Sequence, residues 1–146
     1  RDAERIENCG VEVVQINTGG GCHLDAVMVQ DALENFDLDE LDFVIIENVG
    51  NLVCPAAYNL GENFKMVVMS ITEGDDKPEK YPRIFQESKV LAVTKTDLLE
   101  YNNFDMDRFV EEVQGIQPDI EVFKCASLKG EGLDEMANWI KGECQK

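Results

Sequence analysis

The sequence predicts an α/β fold, a mostly parallel sheet with helices on both faces, and two observations carry that prediction. Short runs rich in β-branched and apolar residues recur at Val11 to Ile16, Phe43 to Ile46, Met66 to Ile71, Val90 to Val93 and Glu121 to Ala126. Several are near-continuous rather than alternating, as in strands covered on both faces. Between them lie apolar stripes at helical spacing. Strands that alternate with helices imply a parallel sheet whose binding loops leave the carboxyl ends of the strands.

Taken in order, the chain opens at Arg1 inside a helical pattern and without an initiator Met, so sequence upstream of it is expected. After the first strand, Ala26, Val29, Leu33 and Phe36 fall three and four apart behind Asp25, predicting a capped amphipathic helix. The second and third strands are joined by Asn48 to Asn63, a stretch too short for a convincing crossover helix. Thr72 to Lys80 is polar and reads as a loop or a helix start. After the fourth strand, Phe109, Val113 and Ile116 repeat the helical stripe behind Asp105 or Asp107, and Pro118 stops it. Leu133, Met136, Ala137 and Ile140 make a last stripe, with Trp139 expected in the core.

A chain of 146 residues with 44% hydrophobic content suits one α/β domain, residues 1–146, and is short for two. The net charge of −17 argues against a nucleic-acid surface or an anionic membrane face, since either calls for clustered Lys and Arg. No apolar run approaches the roughly 20 residues of a membrane span. Five scattered cysteines favour free thiols in a reducing compartment, with the cytoplasm as the expected location. Cys9, Cys125 and Cys144 fall within helical or strand patterns and are expected to be small core or surface residues and not ligands, since a free Cys packs as a hydrophobe.

The most specific segment is Asn17-Thr18-Gly19-Gly20-Gly21-Cys22-His23-Leu24-Asp25, between the first strand and its helix. Consecutive glycines let the backbone pass where a Cβ would clash, and they deliver a thiol and an imidazole together. Those ligand types suit nickel and zinc alike. A flexible turn with a chance Cys-His pair is the bland alternative. Against it, His23 is the only histidine, and the next strand's exit loop carries Cys54. Cys22, His23 and Cys54 are one ligand short of a closed tetrahedral site, leaving water, another residue or a second subunit to complete it.

Glu47-Asn48-Val49-Gly50-Asn51 closes the second apolar run. An acid at a strand end followed by a glycine is the arrangement with which nucleotide hydrolases hold hydrated magnesium and sense the terminal phosphate, which makes Glu47 and Gly50 catalytic candidates. An acid simply facing water is the competing reading. Thr94-Lys95-Thr96-Asp97 and Ala126-Ser127-Leu128-Lys129-Gly130 follow the fourth and fifth strands and resemble the guanine-specificity loops of G proteins. A carboxylate at Asp97 can accept both N1–H and the 2-amino group of guanine, and the Lys95 stem can lie along the base. Thr94 stands where Asn is usual, and Ser127-Leu128 where Ser-Ala is usual.

Together, Asn17 to Ala26, Glu47 to Ala56 and Thr72 to Pro78 are similar to successive signatures of the HypB family of hydrogenase nickel-incorporation GTPases. The resemblance covers nearly the whole chain in order. It implies a P-loop-NTPase-like G domain with its first strand absent here. It also implies Cys22, His23 and Cys54 as metal ligands, Glu47 at the magnesium and switch region, and Lys95, Asp97, Ser127 and Leu128 around the base. The cofactors implied are GTP or GDP, Mg2+, and Ni2+ or Zn2+. The partners implied are a GTP-dependent homodimer with the metal site at its interface, the hydrogenase large subunit and a second nickel accessory protein. The related urease nickel chaperones use Cys-Pro-His, which is absent. No Gly-x-x-x-x-Gly-Lys-Ser/Thr occurs in the 146 residues, so the chain by itself is expected neither to bind GTP tightly nor to hydrolyse it. Two alternatives stand beside the nickel-delivery GTPase. One is a metal-binding or storage module with a vestigial nucleotide site, and the other is a G-domain regulator whose Cys-His pair is structural.

Overall fold

The computed structural model describes residues 2–144; Arg1, at which the sequence opens its helical pattern, lies outside them. The chain divides into two compact units, residues 1–62 and 63–146.

Among its described residues the first unit contains the helices α1 (Asp2–Glu7), α2 (Ala26–Leu33) and α3 (Cys54–Ala57), with a 3-10 turn at Leu38–Glu40. Asp25 caps α2 as its sequence position predicts, accepting from the Met28 amide at 2.9 Å. Such a cap satisfies one of the donors a helix start leaves free. The helix stops at Leu33, one turn before the expected stripe ends at Phe36, because Asn35 Nδ2 donates to the Ala32 carbonyl and the chain tightens into a turn there. Pro55 occupies the first turn of α3, where its missing N–H costs nothing.

The two strands predicted in this unit, Val11 to Ile16 and Phe43 to Ile46, do not form: among the described residues neither segment belongs to a ladder. Val11, Val14, Phe43, Val44 and Ile45 are exposed, Ile45 by 88%. A β-rich composition marks a segment that fits a pleated, half-buried surface. A strand, however, exists only where a neighbour takes up its backbone donors and acceptors.

In the second unit β1 (Met66–Ser70), β2 (Val90–Thr94) and β3 (Glu121–Lys124) form a parallel sheet in the order β1-β2-β3. The register pairs Val67 with Leu91 and Leu91 with Val122, then Val68 with Ala92 and Ala92 with Phe123. The sheet is combined with helices α4 (Lys77–Lys80), α5 (Pro82–Gln86), α6 (Met106–Ile116) and α7 (Leu133–Cys144). The polar stretch Thr72 to Lys80 resolves into the end of a 3-10 turn, Ile71–Glu73, followed by α4. Asp105, rather than Asp107, caps α6 by accepting from the Arg108 amide at 3.1 Å.

The core of this unit is apolar and aromatic. Every residue of β2 from Val90 to Val93 is buried, as a central parallel strand requires. β1 alternates instead, with Met66 and Val68 exposed and Val67 and Met69 buried. Phe109 of α6 packs against Phe85 and Phe104 at ring-centroid distances of 6.3 and 5.0 Å. Trp139 of α7 is only half-buried, packing edge-on against Phe64 and Phe123, with the Lys89 ammonium over both Trp139 and Phe64. Of the cysteines expected in the core or at the surface, Cys125 is buried and Cys9 and Cys144 are exposed. Among the described residues no helix is long and apolar enough to cross a membrane.

Candidate functional site

The glycine loop of the first unit is built for close turning. Gly19 and Gly20 adopt φ of 62° and 91°, a region that side chains with a Cβ rarely enter, and a Cβ on Gly21 would lie 3.2 Å from the Thr18 carbonyl oxygen. The turn closes through the Gly21 amide donating to the Thr18 carbonyl at 3.1 Å and the Gly19 amide donating to Asn17 Oδ1 at 2.9 Å. Cys22 and His23 leave this turn immediately before the buried Leu24.

Two asparagines hold the second loop against it. Asn51 donates from Nδ2 to the Cys22 carbonyl at 2.7 Å, while its Oδ1 accepts from the amides of Val53 at 3.1 Å and Cys54 at 2.9 Å. Asn48 Oδ1 accepts from the Leu24 amide at 2.9 Å and from that of Val49 at 2.8 Å. These bonds bring the three candidate ligands together. One ligand atom each from Cys22, His23 and Cys54 lies within 4.8 Å of the others. The two sulfurs are 2.8 Å apart, and Cys22 Sγ is 3.5 Å from His23 Nδ1. The Cys54 thiol is raised above its ordinary pKa, foremost by its hydrogen bond with Cys22 and secondarily by burial. The His23 ring lies flat on Tyr58, with centroids 3.8 Å apart and planes inclined by 14°.

The donor chemistry fits a borderline-soft divalent ion: two sulfurs and an imidazole nitrogen, on loops open enough to admit further ligands. With metal–sulfur bonds of about 2.3 Å, two thiolates on one ion sit roughly 3.3–3.8 Å apart. Holding an ion would therefore move these sulfurs apart by somewhat less than or about 1 Å.

Glu47 is exposed, and among the described residues its carboxylate has no hydrogen-bonding or ionic partner. Gly50 has no left-handed φ, and a Cβ there would meet open space, so nothing in the fold itself demands glycine at that position.

In the second unit the two predicted base loops lie side by side at the carboxyl end of the sheet, because the Thr96 amide donates to the Cys125 carbonyl at 3.2 Å. Lys95 is the one described non-glycine residue with positive φ, at 59°, which turns the chain sharply out of β2. Thr94 Oγ1 donates to the Met69 carbonyl at 3.2 Å and so ties β2 to β1. Asp97 is half-buried, with no partner for its carboxylate among the described residues. Ser127, Leu128 and Lys129 are exposed on a turn closed by the Ala126 amide to the Glu131 carbonyl at 3.0 Å, and Leu128 is 97% exposed.

The sequence singled out the thiols, the imidazole and the base loops, but not Asn48, Asn51 or Tyr58. An asparagine in a loop signals turn chemistry without naming its partner. For Tyr58 the only sequence trace is its position four residues beyond Cys54.

A family profile described as CobW/HypB/UreG, nucleotide-binding domain, matches residues 1–124. The chain is 46% identical over 140 residues to the hydrogenase maturation factor HypB of Escherichia coli strain K12, covering 96% of this chain and 48% of that protein. It is 49% identical over 140 residues to the protein of the same name from Azotobacter vinelandii, covering 96% and 46%. The chain thus spans about half the length of these curated relatives. Among solved structures, HypB from Helicobacter pylori in complex with nickel superposes with a TM-score of 0.95 at 38% identity, covering 99% of this chain and 69% of that one. The hydrogenase maturation factor HypB from Archaeoglobus fulgidus gives 0.91 at 36% identity, covering 98% and 70%.

Proposed function

Since the chain belongs to the CobW/HypB/UreG nucleotide-binding domain family, we propose that the protein it represents is a nickel-binding GTPase. In this reading it acts as a metallochaperone in [NiFe]-hydrogenase maturation. The observation that carries the reading is the convergence of Cys22, His23 and Cys54 within 4.8 Å. The nickel-bound relative supports it. Nickel is the cargo, taken up by the two thiolates and the imidazole, and zinc suits the same donors.

The nucleotide part rests on the base loops and on Glu47. The half-buried Asp97 carboxylate, free of protein partners among the described residues, would accept the two donors on one edge of guanine. The Lys95 stem would flank the base, and the exposed Ser127 and Leu128 would border it. Glu47, exposed and unpaired among the described residues, would hold Mg2+, which supplies charge neutralisation at the phosphates when bound, and Gly50 would leave room for the terminal phosphate. No step of hydrolysis is assigned to residues of this chain, because it carries no phosphate-cradling Gly-x-x-x-x-Gly-Lys-Ser/Thr. Ligands carried on loops that respond to the nucleotide would let metal affinity depend on nucleotide state. A homodimer with the three-ligand site at its interface would complete the coordination sphere. A second nickel accessory protein and the hydrogenase large subunit would be its partners, in the cytoplasm.

The test is titration of the whole protein with nickel and zinc, with and without a non-hydrolysable GTP analogue. Metal affinity that changes with nucleotide supports delivery. Binding indifferent to nucleotide supports storage, and no binding sinks the metal reading altogether.

A further inference from the structure

We propose that Tyr58 is a positioning residue of the metal centre, its ring stacking on His23 to hold the imidazole in the plane from which Nδ1 faces the Cys22 thiol. The inference rests on the metal-binding reading above and extends it to a residue that is not itself a ligand. The stack is face to face, at 3.8 Å and 14°, and Nδ1 lies on the edge toward Cys22 Sγ at 3.5 Å. Tyr58 immediately follows α3, whose first residue is Cys54, so one short element supplies both a sulfur and the ring that orients the nitrogen.

Simple core packing accounts poorly for this contact. Tyr58 is 42% exposed and His23 half-buried, so the pair lies at the surface and not in the apolar core. His23 leaves a glycine turn, and an imidazole there would sample several orientations, each of which must be given up when an ion binds. A stacked ring removes part of that freedom in advance. The contact also strengthens on binding. Coordination draws charge from the imidazole, and an electron-rich phenol face attracts an electron-poor ring more strongly than a neutral one. Tyr58 therefore favours the metal-bound state over the free one. The stack sets the ring plane, while the contact of Nδ1 with Cys22 sets which edge points inward.

His23 is the only histidine, so its ring protons give a single, unambiguous set of NMR signals. In the metal-free chain those signals are expected upfield of a solvent-exposed histidine, through the ring current of Tyr58. The shift persists in Tyr58→Phe and disappears in Tyr58→Leu. Titrated with zinc(II) and nickel(II), Tyr58→Leu binds roughly three- to tenfold more weakly while Tyr58→Phe recovers most of the affinity. The deciding measurement is the double variant. In a His23→Ala background, Tyr58→Leu costs nothing further if the tyrosine acts through the imidazole, whereas a merely structural tyrosine weakens binding by the same factor in both backgrounds and overturns the proposal. If His23→Ala alone leaves metal affinity unchanged, the ligand assignment fails and the proposal with it. If Tyr58→Leu does not fold, the ring-current shift decides, and its absence in the unsubstituted chain overturns the stack.

Discussion

Asn51 joins the two candidate ligand loops with one side chain: its amide nitrogen holds the Cys22 carbonyl, and its oxygen holds the Cys54 amide. Neither atom belongs to a candidate ligand, yet both fix the backbones from which the thiols project. Groups of this kind typically change metal affinity by roughly 10- to 100-fold when removed. Asn51→Ala is therefore expected to weaken nickel binding by a factor in that range. Its thermal midpoint should fall only slightly, since the bonds involved are mostly exposed and a net hydrogen bond contributes about 1 kcal/mol. Isothermal titration alongside a melting curve checks this, and an unchanged affinity would remove Asn51 from the site. Cys22→Ser and Cys54→Ser should abolish tight binding with little change in melting, because neither thiol is buried in a core.

Among the elements, the turn between β3 and α7 is the least tolerant of change. Gly132 has φ of 74°, and a Cβ there would lie 2.1 Å from the Lys124 carbonyl oxygen, which a β-strand backbone cannot yield. Gly132→Ala is expected to destabilise the second unit by more than about 2 kcal/mol, read as a lowered denaturant midpoint. A neutral result would mean the turn is far softer than its geometry. Helix α4 offers the opposite case. A hydrogen bond from Lys80, aided by the charges of Lys80 and Lys77, holds the Asp76 carboxyl below its ordinary value. A depressed carboxyl contributes stability above its unfolded value of about 3.9, and that contribution disappears as pH falls through the folded value. Both partners are exposed, so water screens the pair, and Asp76→Asn should leave the acid-unfolding midpoint where it was.

For the molecule as a whole, the separation of chemistry between the units makes a further expectation. The candidate metal donors all lie within residues 1–62 and the candidate base loops within 63–146, while no Gly-x-x-x-x-Gly-Lys-Ser/Thr occurs in the 146 residues. The chain on its own should bind nickel through Cys22, His23 and Cys54 yet release no phosphate from GTP above background. Turnover by this chain would show that another group supplies the phosphate contacts.

The sequence alone determined the chemistry on offer and much of the local structure. Asp25 announced the start of α2 and Asp105 or Asp107 that of α6, Val90 to Val93 read as a strand, and the thiols, the imidazole and the candidate base loops stood out by residue type. Those features are legible because caps, periodicity and side-chain chemistry depend on a few neighbouring residues. Only the tertiary structure decided that Val11 to Ile16 and Phe43 to Ile46 stay outside any ladder among the described residues, that Asn48 and Asn51 clamp the two loops, and that Tyr58 lies on His23. A strand needs a partner's backbone and a clamp needs a distant carbonyl. A ring stack likewise needs two loops folded together, and no stretch of sequence states where the other half of such a contact will arrive.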